Sequence, residues 1–281
     1  MSFADKIVNS IDDLPTLPSI YLRLLEVLKN PDASSKDIAN VLSTDPPSAI
    51  KILKHINTPF YGLKTQCDSL LQAVTYLGYN EIKNLVLAIA IIKLFNKVRS
   101  LDDLNIVDFW KHSIAVGIAT RMIGNQINAR NIDNYLLSGL LHDIGKLVFI
   151  IHFYEEYSEI VHYAKINKKT IDEVESMYFG TTHMVIGEIL AERWMLPDSI
   201  RRAIRFHRNG ISDGKHSQLI SAVHIADLMS RTVQLGDPGD DMIPKPSINA
   251  LRELDLPFTF FTDSIEFFSN EYNNSVSILL N

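Results

Sequence analysis

Apolar residues recur at helical spacing along almost the whole chain. The first clear example follows Pro18, where apolar side chains lie three and four positions apart: Ile20, Leu24, Leu25 and Leu28. Such spacing places the side chains on one face of a helix. No convincing alternation of apolar and polar residues, as in a half-buried strand, occurs anywhere in the chain. The pattern therefore predicts an all-α fold.

Local signals predict where several helices begin and end. Ser34 stands three residues before Asp37, which is the spacing of a helix N-terminal capping box. Asp45 is a candidate N-cap, and Pro46 would occupy the first helical position, where its missing N–H costs little. A helix ends at Gly78, and another begins near residue 80.

A polar stretch, RSLDDLN, follows the helix predicted over residues 80–98 and marks a boundary. We expect an N-terminal helical bundle subdomain over 1–103, packed on a second helical subdomain over 104–236. Helices in the second half are predicted near 106–126, 133–146, 154–167, 182–195, 197–208 and 216–235. The loop GDPGDDMIPKPS then leads to a helical tail, so that 237–281 forms a third segment.

Composition and charge exclude several classes of protein. The 281 residues are 46% hydrophobic, which is ample for a packed core, and the formal net charge is −6. An acidic balance argues against general nucleic-acid binding. Cys67 is the only cysteine, so neither an intrachain disulfide nor a thiolate metal cluster can form, which suits a reducing compartment.

No segment has the character of a leader or a membrane span. The N-terminal stretch MSFADKIVNSIDD is acidic and lacks a long apolar core. The longest purely apolar run, Leu85–Ile92, is far shorter than the roughly 20 residues of a membrane helix, and we expect it in a buried helix. We therefore expect a soluble cytoplasmic protein that does not associate with membranes.

Histidines and acids of the second half fall on apolar faces of the predicted helices. His207 continues the stripe of Ile200, Ala203 and Ile204, and His183 shares a face with Ile186, Leu190 and Trp194. His224 and Asp227 lie on one face with Ile220, and His112 follows Asp108 by one turn. The segment LLHDIGK, residues 140–146, adds a histidine and an aspartate side by side.

A single inward histidine is more often a hydrogen-bonded core residue than a metal ligand. Several together change that balance, because buried polar groups need partners and one ion satisfies many. Imidazoles and carboxylates without thiolate suit iron, manganese, zinc or nickel. No organic cofactor is evident from the sequence.

The segment LLHDIGK resembles the signature of the HD superfamily of metal-dependent phosphohydrolases, whose ligands are a helical His, a His-Asp pair and a late Asp. The resemblance implies the metal ligands His112, His142, Asp143 and Asp227. Members with two-metal sites carry further histidines, which His183 and His207 match. Lys146 matches the lysine after the pair, and some members have an acidic ligand at the position of Asp108.

The N-terminal half resembles the HDOD domain, the HD-related output domain of bacterial signalling proteins. The motifs that carry the resemblance are LPTLP, a Pro-Asp before a helix, an Asp-Pro opening the next helix, an Asn before a Tyr-Gly turn, and an Ala followed by Leu-Gly. The likeness extends over roughly residues 11–235. It implies a regulatory or scaffolding module, and we expect signalling proteins as its partners.

The chain differs from typical HDOD domains and also from one catalytic branch of the HD superfamily. It keeps nearly all ligands, whereas many HDOD domains have lost some. It also lacks features of the HD-GYP phosphodiesterases, because Arg208 and Asn209 follow His207 in place of a second His and a Glu, and no Gly-Tyr-Pro element occurs. We therefore expect a signalling module without established catalysis. The alternative is a metal-dependent phosphohydrolase or phosphodiesterase, in which Lys146 and Asp143 would act in catalysis.

Two further features allow two interpretations each. Arg201, Arg205 and Arg208 form a basic stripe that is either a solvated helix face or a phosphate clamp. In the second interpretation Lys146, Arg205 and Arg208 form an anion pocket for a nucleotide or cyclic dinucleotide. The second feature is an aromatic tail, expected to pack in the core rather than to form a partner surface: Phe258, Phe260, Phe261, Phe267 and Phe268.

Overall fold

The computed structural model describes residues 16–211 and 214–280. Its helices are α1 Ser19–Leu28, α2 Ser35–Leu42, α3 Pro46–Ile56, α4 Leu70–Phe95, α5 Ile106–Gln126, α6 Asp133–Leu141, α7 Ile144–His152, α8 Tyr154–Asn167, α9 Ile171–Phe179, α10 His183–Arg193, α11 Asp198–Phe206, α12 Ser217–Thr232, α13 Ile248–Leu254 and α14 Phe260–Leu280. Among the described residues the only extended pairing is an isolated bridge between Leu101 and Leu104. The predicted all-α fold is therefore confirmed. The N-terminal stretch and the first half of the LPTLP motif lie outside the described residues.

The described chain divides into two compact units. A central unit contains residues 96–261, and an N-terminal unit contains residues 16–95 together with 262–280. The predicted segments 1–103, 104–236 and 237–281 stay a prediction. They differ from the compact units mainly at the end of the chain, where residues 237–261 and 262–280 belong to different units.

The predicted helix boundaries of the N-terminal unit agree closely with the structure. Ser34 and Asp37 form the capping box, in which the backbone N–H of Ser34 donates to Asp37 Oδ2 at 2.9 Å. Asp45 stands before Pro46 as predicted, although its carboxylate accepts from the Ser48 hydroxyl rather than from a helix N–H. Gly78, with φ of 78°, breaks α4 in its middle, where a left-handed φ favours glycine.

Packing in the central unit brings six helices of the second half together. Helix α5 packs against α6 and α12, α7 packs against α10, and α11 packs against α6, α10 and α12. The predicted helix over 133–146 is wrong in one respect. It is interrupted at His142 and Asp143, and α7 then continues to His152. Apolar residues flank the break on both sides, so periodicity alone does not reveal it.

The segment Asp133–His152 is long and apolar enough to cross a membrane by length and composition. It consists of the two helices α6 and α7, and 83% of its apolar window is buried inside the protein. Burial of this kind is what the core helices of a folded domain show. The apolar run Leu85–Ile92 of α4 is also buried in the core, as expected.

The aromatic tail is only partly core. Phe260 and Phe268 are buried, as predicted. Phe258 is 95% exposed and Phe267 is 40% exposed, so the prediction of core packing is wrong for these two. Periodicity within a helix explains the alternation at 267 and 268, because neighbouring residues point to different sides.

Candidate metal centre

The turn between α6 and α7 positions the centre. Helix α6 ends at Leu141, and the backbone of Asp143 leaves helical geometry with φ of −101° and ψ of 9°. This break lets His142 and Asp143 both point into the protein rather than to successive sides of one helix. All predicted ligands are at most 3% exposed: His112, His142, Asp143, His183, His207 and Asp227.

The close packing of α7 against α10 explains why residue 145 is a glycine. A Cβ at this position would collide with the carbonyl oxygen of His183 and lie 2.7 Å from the backbone nitrogen of Gly187. Helices α7 and α10 therefore approach each other backbone to backbone. That approach brings His183, the first residue of α10, within reach of Asp143.

The side chains form two groups with metal-ligand geometry that share Asp143. One contains His112, His142 and Asp143, and the other contains Asp143, His183 and His207. In each group the candidate ligand atoms lie within 4.8 Å of one another. Asp227 belongs to neither group, although its Oδ1 is 3.1 Å from His112 Nε2.

The distances from Asp143 to the imidazoles suit a metal shell. Its Oδ2 is 3.2 Å from His142 Nε2, and its Oδ1 is 3.1 Å from His183 Nε2 and 3.5 Å from His207 Nε2. Bonds of about 2.1 Å to a common ion put neighbouring ligand atoms roughly 3.0–3.4 Å apart. The carboxylate and the rings therefore stand close to where shared coordination would place them.

Several buried atoms of the centre have no hydrogen-bond partner among the described residues. They are both ring nitrogens of His112, His142 Nε2, Asp143 Oδ1 and His183 Nε2. Buried polar atoms of native proteins are rarely left unpaired, and an ion is one of the groups that satisfies them. These atoms all belong to predicted ligands, so the residues fit a metal ion.

The other nitrogen of three rings is held by the protein. His142 Nδ1 lies 2.7 Å from the carbonyl oxygen of Gly139, and His207 Nδ1 lies 2.9 Å from that of Ile204. His183 Nδ1 lies 2.7 Å from Glu175 Oε2. An acceptor at Nδ1 favours the tautomer whose lone pair is on Nε2, which is how metal-binding histidines are oriented.

His224 and Asp108 have other partners. The ring of His224 donates from Nδ1 to the His207 carbonyl and accepts from the backbone N–H of Ser247, so both nitrogens are engaged. Asp108 pairs with Lys111 at 2.8 Å, and its side chain is 42% exposed. The structure therefore does not bring Asp108 into the cluster.

Each of the two aspartates among the predicted ligands, Asp143 and Asp227, faces a buried cation. Lys146 donates to Asp143 Oδ2 at 2.6 Å and to the carbonyl oxygen of Pro238 at 2.8 Å. Arg231 donates to Asp227 Oδ1 at 2.8 Å and also to Asp240. Both Asp143 and Asp227 are thereby neutralised within the protein.

The three residues of the predicted anion pocket are placed differently from one another. Lys146 lies inside the cluster. The Nε of Arg208 is 3.0 Å from Asp172, its NH1 is 3.9 Å from Asp227 Oδ2, and its side chain is 9% exposed. Arg205 instead pairs with Glu188 near the surface, and the structure does not bring it to the cluster.

Sequence reasoning missed two residues of this site. Glu175 is completely buried beside His183, and Arg231 bridges Asp227 and Asp240. A signal for Glu175 exists, since Ile171 and Phe179 lie four positions to either side and share its helix face. Arg231 follows Asp227 by four positions, which is the spacing of a helical ion pair.

The electrostatics reflect competition between burial and neighbouring charges. Burial lowers the pKa of His207 well below its ordinary value. Burial is also the largest single influence on His183 and acts to lower its pKa, but the carboxylates of Glu175 and Asp143 together outweigh burial and raise that pKa to about 9. For Asp143, burial acts to raise the pKa, and His142 and Lys146 together hold it well below its usual range. The buried His/Asp group could thus bind a metal ion once a proton leaves His183.

Comparisons with known proteins agree with this architecture. The family model of the HDOD domain matches residues 14–210. An uncharacterized protein of Treponema pallidum (strain Nichols) is 30% identical over 258 residues, which are 89% of this chain and 48% of that protein. The chain therefore spans about half the length of the curated relative it matches.

Solved structures of similar proteins share the fold. An HDOD domain protein of unknown function from Geobacter sulfurreducens has a TM-score of 0.78 at 27% identity and covers 98% of this chain and 96% of its own. A proposed phosphohydrolase from Shewanella amazonensis SB2B has a TM-score of 0.75 at 20% identity, with 98% of each chain covered. A proposed signal transduction protein from Marinobacter aquaeolei VT8 has a TM-score of 0.77 at 19% identity, covering 99% of this chain and 66% of its own.

Proposed function

Because this chain belongs to the HDOD domain family, we propose that it is a bacterial regulatory module that acts through protein partners in the cytoplasm. We further propose that its buried His/Asp cluster holds a divalent metal ion, iron, manganese, zinc or nickel, that mainly stabilises the central unit. The ligands would be His112, His142, Asp143, His183, His207 and Asp227. The observation that carries this proposal is the complete burial of the cluster.

The degree of burial distinguishes a structural metal site from a catalytic metal site. A catalytic metal keeps an open coordination position for water or substrate, whereas a structural site is closed by protein ligands. Here Lys146, the residue expected to meet a substrate phosphate, is 0% exposed and already bound by Asp143 and the Pro238 carbonyl. Lys146 and Arg231, which donate to the carboxylates of Asp143 and Asp227, are both buried and already paired, so neither is open to a phosphate ester.

The alternative function is a metal-dependent phosphohydrolase or phosphodiesterase. The observation that favours it is the size of the ligand set, since two groups share Asp143 and each supplies three donors. A metal bound there would lower the pKa of a coordinated water and so supply a nucleophile. In that case Asp143 and Lys146 would act in catalysis, and the segment around Pro238 would have to move before a substrate reached them.

A nucleotide or cyclic dinucleotide ligand remains a prediction with little support from the contacts. Arg208 faces the carboxylates of Asp172 and Asp227, which would repel a phosphate. Arg205 is held by Glu188. The more favourable role for Arg208 is to neutralise acids at the edge of the cluster.

Element analysis of protein purified without chelator tests the proposal directly. We expect one or two equivalents of metal per chain, and a lower Tm after the metal is stripped. A metal at 1,000 times its Kd stabilises the folded state by about 4 kcal/mol. Each kcal/mol of stability shifts the Tm by roughly 2–4 °C for a chain near this length, so removal of the metal should lower the Tm by on the order of 10 °C.

A matched pair of histidine variants makes the test specific. His142→Ala should lose metal, whereas His162→Ala should keep it, since the side chain of His162 is 62% exposed and pairs with Asp103. An unchanged Tm after stripping would remove the structural role. Hydrolysis of nucleotides or cyclic dinucleotides by the metallated protein at about 1 per second or faster would favour the enzyme instead.

A further inference from the structure

Glu175 is an unusual residue because its carboxylate is fully buried. It lies in the middle of α9 and is 0% exposed. Burying a carboxylate is costly unless hydrogen bonds or charges compensate for it. The neighbouring acid on the same helix, Glu173, is exposed, so burial is not a general property of this segment.

Three hydrogen bonds compensate Glu175, and two of them converge on one histidine. Its Oε1 accepts from the hydroxyl of Tyr157 at 2.7 Å. Its Oε2 accepts from the backbone N–H of His183 at 2.8 Å and from the ring Nδ1 of His183 at 2.7 Å. One oxygen therefore holds both the first residue of α10 and the orientation of its ring.

This contact decides which nitrogen of His183 faces the cluster as a lone-pair donor. A carboxylate can only accept a hydrogen bond, so the bonded Nδ1 must carry the proton. When the ring is in its neutral form, the lone pair is then on Nε2, which lies 3.1 Å from Asp143 Oδ1 and makes no hydrogen bond. The carboxylate also makes Nε2 a stronger donor to a metal.

His183 differs in this respect from the other rings of the cluster. His142 and His207 each place Nδ1 against a neutral backbone carbonyl, whereas only His183 among these three has an anion behind it. We infer that Glu175 is a positioning residue for the metal centre, which fixes His183 as an Nε2 donor and favours metal binding in the group of Asp143, His183 and His207. The inference rests on the proposed metal site.

The test compares metal affinity in Glu175→Gln and Glu173→Gln, two variants with the same change on the same helix. Glutamine at 175 keeps the size of the side chain, and its amide oxygen can still accept from the two N–H groups of His183, but it removes the negative charge behind Nδ1 and so makes Nε2 a weaker lone-pair donor to a metal. We expect the affinity for Zn²⁺ or Mn²⁺, measured by competition with a chromophoric chelator, to fall about 10- to 100-fold in Glu175→Gln. Glu173→Gln should bind as tightly as the natural protein.

A second readout separates positioning from folding. The metal-dependent rise of Tm is measured within each variant, so that any loss of intrinsic stability cancels. Tyr157→Phe removes only the bond to Oε1 and should leave the metal-dependent rise nearly unchanged. If Glu175→Gln does not fold, Glu175→Asp keeps the charge but withdraws it from His183, and its affinity should also fall.

The outcomes are distinct. Equal metal affinity in the natural protein and in both Glu175 variants would overturn the positioning role while leaving the metal site intact. No metal binding by the natural protein would overturn the proposed metal site and this inference together. An affinity loss confined to the Glu175 variants supports the inference.

Discussion

Replacement of Arg231 by methionine should destabilise the protein strongly, because this guanidinium serves two buried acids. It donates to Asp227 at 2.8 Å through Nε and to Asp240 at 2.8 Å through NH1. It also donates to the Met242 carbonyl at 3.0 Å. The side chains of Arg231 and Asp227 are 4% exposed, and that of Asp240 is 0% exposed.

The magnitude follows from what remains after the substitution. Methionine fills much of the volume but leaves two carboxylates in the interior without their cation. Removing one partner of a buried ion pair costs about 3–5 kcal/mol, and the uncompensated charge is the main reason. For a chain of this size the cost corresponds to a fall in Tm of roughly 6–20 °C.

The assay is urea unfolding of the metal-free protein, followed by circular dichroism. Arg201→Met is the matched control, since Arg201 also contacts two acids, Glu192 and Asp198, but at a partly exposed site. Its loss should cost at most about 1 kcal/mol. Adding Asp240→Asn to Arg231→Met should recover part of the stability, because it removes one unpaired charge. Equal effects of the two arginine substitutions, or a cost below about 1 kcal/mol for Arg231→Met, would refute the reasoning.

Two further predictions concern the proposed ligand His183. Because the carboxylates of Glu175 and Asp143 together outweigh burial and raise the pKa of His183 to about 9 from 6.5, a metal must displace a proton below that pH, so metal affinity should rise from pH 6.5 to 9. The same raised pKa stabilises the metal-free protein fully below pH 6.5, and this stabilisation is lost as the pH rises through 9. A metal-dependent Tm shift that does not change over this range would contradict both statements. Gly145→Ala should lower the metal content. It should also lower the free energy of unfolding by about 1–3 kcal/mol or more, because the added methyl group meets the backbone of His183. Wild-type metal content in that variant would show that the close approach of α7 and α10 is not needed.

The inward faces of the helices could be predicted because burial follows helical periodicity. His207 and His183 continue apolar stripes, and the structure buries both. The break after Leu141 could not be predicted in this way, because apolar residues continue through it on both sides. A one-dimensional pattern records which faces are buried but not where a buried helix changes direction.

Charged residues show the same limit more clearly. Arg208 stands in a stripe that suits a solvated face, yet its side chain is 9% exposed because Asp172 and Asp227 meet it from other helices. Glu175 sits in the acidic segment IDEVES, where a solvated position is the ordinary expectation. The burial of these charged side chains depends on partners that are distant in the sequence, so it cannot be predicted from the residues around each of them.

Charge balance at the centre favours one metal ion over two. Asp143 already faces Lys146, and Asp227 already faces Arg231. Among the described residues Glu175 is paired with His183 and not with a lysine or an arginine, and a proton on His183 balances its charge in the metal-free protein. A single divalent ion in the proposed group of Asp143, His183 and His207 would replace that proton and add one positive charge. A second ion in the group of His112, His142 and Asp143 would add two more positive charges on the side of Arg231, whose partner Asp227 lies 3.1 Å from His112, in an interior that screens charge poorly. The proposed ligands are numerous enough for two ions. However, Lys146 and Arg231 already neutralise the carboxylates that would have to balance the charge of a second ion.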